Sequence, residues 1–196
     1  SQGPLRGLYL NTKPHVSPAP CFSLFLYCTF STFDVDTLTD QNIKDAARLW
    51  VREEAEARAK YGDIETWDVS AVTGLGNLCW YMDFNADISG WNTSSVTRMR
   101  SMFEFTTQFN QNISGWDVSS VTKMDFMFRL AEAFNQDISG WNVSNVNDMN
   151  IMFYKAIAFN QSLSEWDVSK VTEMKYMFSE ATAFNGDISG WNVSKV

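Results

Sequence analysis

Tryptophan recurs at Trp67, Trp91, Trp116, Trp141, Trp166 and Trp191, at intervals of 24, 25, 25, 25 and 25 residues. An interval held this regularly means that consecutive stretches are built to one plan, which leaves few folds open. Each tryptophan begins a unit that reads W-[DN]-V-S-x-V-T-x-M-x-x-M-F-x-x-A-x-x-F-N-Q-D-I-S-G, most cleanly from Trp116 to Gly140. The unit from Trp141 to Glu165 ends in Glu instead of Gly. The first unit, Trp67 to Gly90, is one residue short and has Leu75, Leu78 and Cys79 where later units have Met, Met and Phe. A single unit carries too few apolar side chains to offset the entropy of ordering its own backbone. Each must therefore bury its edges against its neighbours, as stacked repeats do.

Within a unit the apolar spacing changes. Val121, Met124, Met127 with Phe128, and Ala131 recur every three to four residues, which predicts one face of a short helix started by Ser119 or Thr122. Trp116 and Val118 alternate with Asp117 and Ser119, which predicts a short strand. The expected fold is an α/β repeat solenoid with one short parallel strand and one short helix per 25-residue repeat. Its coils start at 67, 91, 116, 141 and 166, with a partial one at 191, so that the repeats occupy 67–196.

Asn85, Asn110, Asn135, Asn160 and Asn185 each follow a Phe at the same place in the unit. One reading is a plain turn former. The favoured one is a buried asparagine ladder in which each amide bonds backbone of the adjacent coil.

Block W-D-V-S-S-V-T-K-M-D-F-M-F-R-L-A-E-A-F-N-Q-D-I-S-G-W resembles the BspA-like leucine-rich-repeat surface-protein family, over Trp67 to Val196. The resemblance implies a leucine-rich-repeat-like right-handed coil stack, an extracellular or cell-surface location, and a role in adhesion or binding. It implies no catalytic residues.

Ahead of the repeats, Ile43, Ala46, Ala47, Trp50 and Val51 form an apolar stripe. They predict a helix over 40–61, capped by Thr37 or Thr39 and stopped by Gly62. Residues 37–66 are thus expected to form a helical N-terminal cap over the first coil. Residues 1–36 read as irregular, with Pro4, Pro14, Pro18 and Pro20. The apolar run from Cys21 to Phe30 is too short to span a bilayer. It reads as a strand against the cap or as disorder rather than as a secretory signal. A start without Met and a stop five residues past Trp191 read as a fragment. Cys21, Cys28 and Cys79 make neither a zinc pattern nor a disulfide framework, and Cys79 takes a core position.

The net charge is −8, from 15 basic and 23 acidic residues, which argues against nucleic acid and against docking on anionic lipid. With one histidine, His15, metal sites and catalytic triads that need histidine are nearly excluded. No cofactor and no metal is expected.

The residue after each tryptophan alternates between acid and amide: Asp68, Asn92, Asp117, Asn142, Asp167, Asn192. These residues, Asp68 to Asp167 above all, are the candidate binding positions on the strand face. The alternation has an electrostatic reading, in which like charges are spaced by every second coil. A row of calcium ligands is the less favoured alternative. Asn92, Asn142 and Asn192 begin N-x-[ST] sequons and are candidate glycosylation sites; Asn160, in the ladder, should be inaccessible. Partner-specific contacts are expected from two variable slots, Tyr81, Phe105, Leu130, Lys155 and Glu180 in one and Phe126, Ile151 and Tyr176 in the other. The expected function is that of a non-enzymatic, monomeric protein that binds a protein or glycan through its extended surface. The alternatives are a rigid spacer that displays another domain and, less favoured, a carboxylate-dependent hydrolase.

Overall fold

Two helices precede the first tryptophan: α1, Ile43–Arg52, and α2, Glu54–Tyr61. The computed structural model describes residues 36–196, which fall within the compact unit Phe33–Val196. The expectations for residues 1–35, including Cys21, Cys28 and the apolar run around them, lie outside the described residues.

The single helix expected over 40–61 is broken at Glu53, whose backbone leaves the helical region (φ −147°, ψ 67°). No Pro or Gly lies nearby, and the apolar stripe runs on through the buried Ala57 and Tyr61, so the break is a tertiary effect. Trp50 from α1 meets Trp67 edge-on at 6.0 Å, and Tyr61 from α2 meets the same indole at 6.0 Å. The Arg58 guanidinium lies 4.7 Å from the Trp50 ring. Neither Thr37 nor Thr39 caps α1; its N-cap residue Asn42 makes no side-chain cap bond and instead accepts the Thr39 N–H at 2.8 Å. Gly62 ends α2 in the left-handed region (φ 78°), where its N–H still donates to the Arg58 carbonyl.

The repeats correct the expected fold class. Among the described residues there is no strand, no sheet and no helix beyond Thr66. Each unit is instead a run of turns, so the chain is not an α/β repeat solenoid of the leucine-rich type. Two observations overturn the helix. First, residues 10 and 14 after each tryptophan have positive φ throughout: Asn77 and Tyr81, Ser101 and Phe105, Phe126 and Leu130, Ile151 and Lys155, Tyr176 and Glu180. A right-handed helix cannot pass through them. Second, alternate amides point out of the unit. The N–H groups of Met124, Phe126, Phe128 and Leu130 donate to the carbonyls of Asp148, Asn150, Met152 and Tyr154 in the next unit, at 2.8–3.0 Å. The intervening Met127, Arg129 and Ala131 amides close turns onto carbonyls three residues back. The strand expected at each tryptophan is likewise missing. Pairing between units is reduced to isolated parallel bridges, Gly74 to Arg98 to Lys123 to Asp148 to Glu173.

Side chains complete the stack. Trp67 and Trp91 stack at 6.0 Å, Trp91 and Trp116 at 6.4 Å, Trp166 and Trp191 at 6.3 Å. From Trp91 on, each indole also donates to a carbonyl 27 or 28 residues back, as Trp116 does to Ile88 and Trp141 to Ile113, both at 3.1 Å, whereas Trp67 donates to Gly62 at 3.1 Å. A buried Phe or Leu in that place would stack but leave the carbonyl unpaired. Phe103, Phe128, Phe153 and Phe178 form a second column at 5.4–5.6 Å, and Phe84, Phe109, Phe134, Phe159 and Phe184 a third at 5.9–6.2 Å. Cys79 occupies the Phe position of the first unit; it is fully buried, and that burial pushes its thiol well above the usual range, which leaves it unreactive.

The positive-φ positions carry a stability prediction. Ile151 is β-branched and sits at φ 59°, where a branched side chain is most strained. Ile151→Asn is expected to raise stability by about 1 kcal/mol, and chemical denaturation checks it. A loss of stability would mean that the Ile151 side chain contributes more by packing than its backbone costs.

Candidate functional site

Asp68, Asn92, Asp117, Asn142, Asp167 and Asn192 all have one role. Each accepts, through Oδ1, the N–H of the serine two residues on, at 2.9–3.2 Å. These are Asx turns. Asp87, Asn112, Asp137 and Asp187 form a second series of the same kind, at 2.9–3.0 Å. Acid and amide serve equally because only an acceptor is needed, which is why the slot accepts both. All of the first series are exposed, but on turns, not on the strand face that the sequence suggested. Among the described residues no group of three or more His, Cys, Asp and Glu side chains is gathered as a metal ion requires.

The repeated asparagines bond from unit to unit. Asn85 Oδ1 accepts the Asn110 N–H at 3.0 Å, and Asn110, Asn135 and Asn160 do the same for Asn135, Asn160 and Asn185 at 2.7–2.9 Å. Gln111, Gln136 and Gln161 reinforce the row, each donating to the carbonyl of the asparagine one unit back at 2.9 Å. The row lies at the surface rather than in the core, so Asn160, expected to be inaccessible, is exposed, as are Asn92, Asn142 and Asn192.

Those Asx turns make folding acid-sensitive. The Ser hydroxyls and amides hold the carboxyls of Asp68, Asp87, Asp117, Asp137, Asp167 and Asp187 below the usual carboxylate range. A carboxyl with a lowered folded pKa stabilises fully above its unfolded value, about 3.9, and that stabilisation is lost as pH falls through the folded value. Asp125 opposes the trend: burial, then the nearby Asp148 charge, raise its carboxyl. Asp40 and Glu180 are lowered too, so with eight lowered carboxyls against one raised, the melting temperature should hold flat from neutral pH to about pH 5 and fall below about pH 4. A melting temperature that rises on acidification would refute the assignment.

The variable slots lie at the positive-φ corners. Of these, Tyr81 and Tyr176 are 72% and 70% exposed, while Phe105, Leu130, Lys155, Phe126 and Ile151 are half-buried. At the first units the corner becomes an aromatic ridge. Trp80, 49% exposed, lies 6.1 Å from Tyr81, and Tyr81 lies 5.4 Å from Phe105. The ridge borders an open cleft of about 540 Å³ lined by Tyr81, Asp83, Phe105, Gln108, Leu130 and Glu132. Further along, the Arg129 guanidinium lies between the Phe105 and Tyr154 rings, at 4.7 and 5.7 Å, and pairs with Glu104 at 2.6 Å. Tyr154 Oη and Lys155 both reach Glu180. Sequence reading found Tyr81, Phe105 and Leu130 but missed Trp80, Asp83, Gln108 and Glu132. Trp80 did carry a signal: of eight tryptophans, only Trp50 and Trp80 fall outside the repeat interval.

No helix among the described residues is long and apolar enough to cross a membrane. The family model described as "Mycoplasma protein of unknown function, DUF285" matches residues 50–156 and again residues 136–196. No curated protein and no solved structure matches the chain.

Proposed function

This chain belongs to the DUF285 family, and from that premise we propose that it is a non-enzymatic extracellular or cell-surface protein that binds a protein or glycan through its variable corners. The likeness of the repeat to BspA-like surface proteins supports the location and the adhesive role. The observation that carries the reading is the division of labour within each unit. Trp, Phe and Met columns repeat almost unchanged inside, while the left-handed corners change from unit to unit, most of them at least partly exposed and Tyr81 and Tyr176 strongly so. A chain that needed only rigidity would gain nothing from exposed Trp80 and Tyr81, which cost solubility. Aromatic side chains beside polar groups form the usual anchors of a recognition surface.

Tyr81→Ala is expected to weaken binding to a partner found on a glycan or protein array by about tenfold, while the melting temperature changes by less than about 2 °C. Both residues take the same backbone conformation without glycine's freedom, so the substitution tests the ring and not the turn. Binding that survives loss of both Tyr81 and Phe105 would move recognition away from these corners, and the absence of any saturable binding would favour the spacer reading.

A further inference from the structure

The geometry points to a second site, apart from the aromatic ridge: a cationic cleft where α1 meets the first two units, built to take a sulfate group of an anionic polysaccharide. The cleft, of about 330 Å³, is lined by Lys44 from α1, by Arg98 and Arg100 from the second unit, and by Asp40, Gly74 and Gly76. Three observations support it.

The space comes from missing side chains. The seventh and ninth residues after each tryptophan are Arg98 and Arg100 in the second unit, Lys123 and Asp125 in the third, Asp148 and Asn150 in the fourth. In the first unit they are Gly74 and Gly76. A Cβ added at Gly74 would meet nothing within 4 Å, so the first unit leaves a hollow where later units place a charged side chain.

Part of the charge in the hollow is unspent. Lys44 and Arg98 make no ion pair within 4.0 Å among the described residues, while Arg100 pairs with Asp125 at 3.2 Å and lies 5.4 Å from the Phe126 ring. The one carboxylate in the lining, Asp40, has both oxygens engaged. Oδ1 accepts the Thr73 and Gly74 N–H groups and Oδ2 the Thr73 hydroxyl. Three cations against Asp40 and the Asp125 that pairs with Arg100 leave the cleft formally at +1 on a chain of net charge −8.

That contrast selects the ligand. A flat anionic membrane or a duplex would meet the acidic surface along with the cleft. A single sulfate carried on a flexible sugar chain enters the concavity alone, where two guanidinium groups and an ammonium offer charge-assisted hydrogen bonds.

Titration of the whole chain with dextran sulfate, with neutral dextran, and with vesicles rich in phosphatidylserine tests this. Dextran sulfate alone should bind, and affinity should fall as salt rises. The Lys44→Gln, Arg98→Gln double variant should weaken binding about tenfold or more. A Lys170→Gln, Lys195→Gln variant, equal in charge change but remote in sequence from the cleft, should change it less than about twofold. Gly74→Asp provides a second route: the equivalent position of the fourth unit already holds Asp148, so the fold accepts the residue, and a carboxylate in the hollow should abolish binding. Equal losses in the two double variants, retained binding in Gly74→Asp, or vesicle binding that depends on Arg98 would each overturn the proposal. Tyr81→Ala should leave dextran sulfate binding intact, which separates this site from the ridge.

Discussion

Phe128→Ala is expected to destabilise the protein by about 3–5 kcal/mol in chemical denaturation. Phe128 is fully buried and touches more than its own unit. It stacks on Phe103 at 5.6 Å and Phe153 at 5.5 Å in its column, and lies 4.0 Å from Phe134 and 6.3 Å from Trp141. Truncation leaves a cavity in the middle of the stack, where neither neighbouring unit can collapse without pulling the inter-unit hydrogen bonds of Met124 through Leu130 out of register. Two further results follow from the stacked arrangement. Phe128→Ala combined with Phe134→Ala should depart from additivity by about 0.5–3 kcal/mol, because the rings share one contact surface. Combination with a substitution at the distant Ile64 should be additive within about 0.5 kcal/mol. A cost below about 1 kcal/mol for Phe128→Ala would mean that the columns do not hold the units together.

Asp40→Ala should cost about 2 kcal/mol, a large effect for an exposed residue. The reason lies in how the ladder begins. The residue six places after each tryptophan donates its N–H to its counterpart one unit back: Thr97 to Thr73 at 2.8 Å, Thr122 to Thr97 at 2.9 Å, Asn147 to Thr122 at 3.0 Å, Thr172 to Asn147 at 3.0 Å. Thr73 is in the first unit and has no counterpart before it. Asp40 takes that place, accepting the Thr73 N–H at 2.8 Å, its hydroxyl at 2.6 Å and the Gly74 N–H at 3.0 Å. The Thr73 hydroxyl above all holds the Asp40 carboxyl below the usual range. By the linkage sign used for the Asx turns, this stabilisation is present above about pH 4 and disappears as the carboxyl protonates. Hydrogen exchange should localise the Asp40→Ala effect to the amides of the first unit, with later units nearly unchanged. Loss of protection spread evenly over the stack would show that Asp40 supports the fold as a whole rather than its first edge.

Much of this was legible in the residues. The register of the units, the identity of the columns and the core position of Cys79 follow from which side chains recur, because stacking places identical residues on one another. The backbone state did not follow. An apolar residue every third or fourth position marks one face of a helix, and it equally marks the inward corners of successive turns. Val121, Met124, Met127 and Ala131 fit both. The signal against a helix was present but faint: the positions now seen at positive φ admit Asn77 and Ser101, but also Ile151, which no propensity argument would place there.

The functional surface divides in the same way. Tyr81 and Phe105 could be found as variable slots, whereas the cleft beside them needs Gln108 and Glu132, which lie in successive units and meet only in the folded stack. The cationic cleft joins Lys44 to Arg98 across more than fifty residues, a meeting that no local pattern announces.

What the residues determined alone was which units exist and which side chains share a column, since burial selects chemistry position by position and the period records that selection. What the tertiary structure decided was where the backbone hydrogen bonds go. An amide in a helix is satisfied four residues away and so is governed by local sequence. Alternate amides here are satisfied one whole unit away, by carbonyls whose positions are set only once the neighbouring unit has been laid down. That choice turned expected helices into turns, brought the asparagine row to the surface, and left the first unit to be closed by an aspartate from outside the repeat.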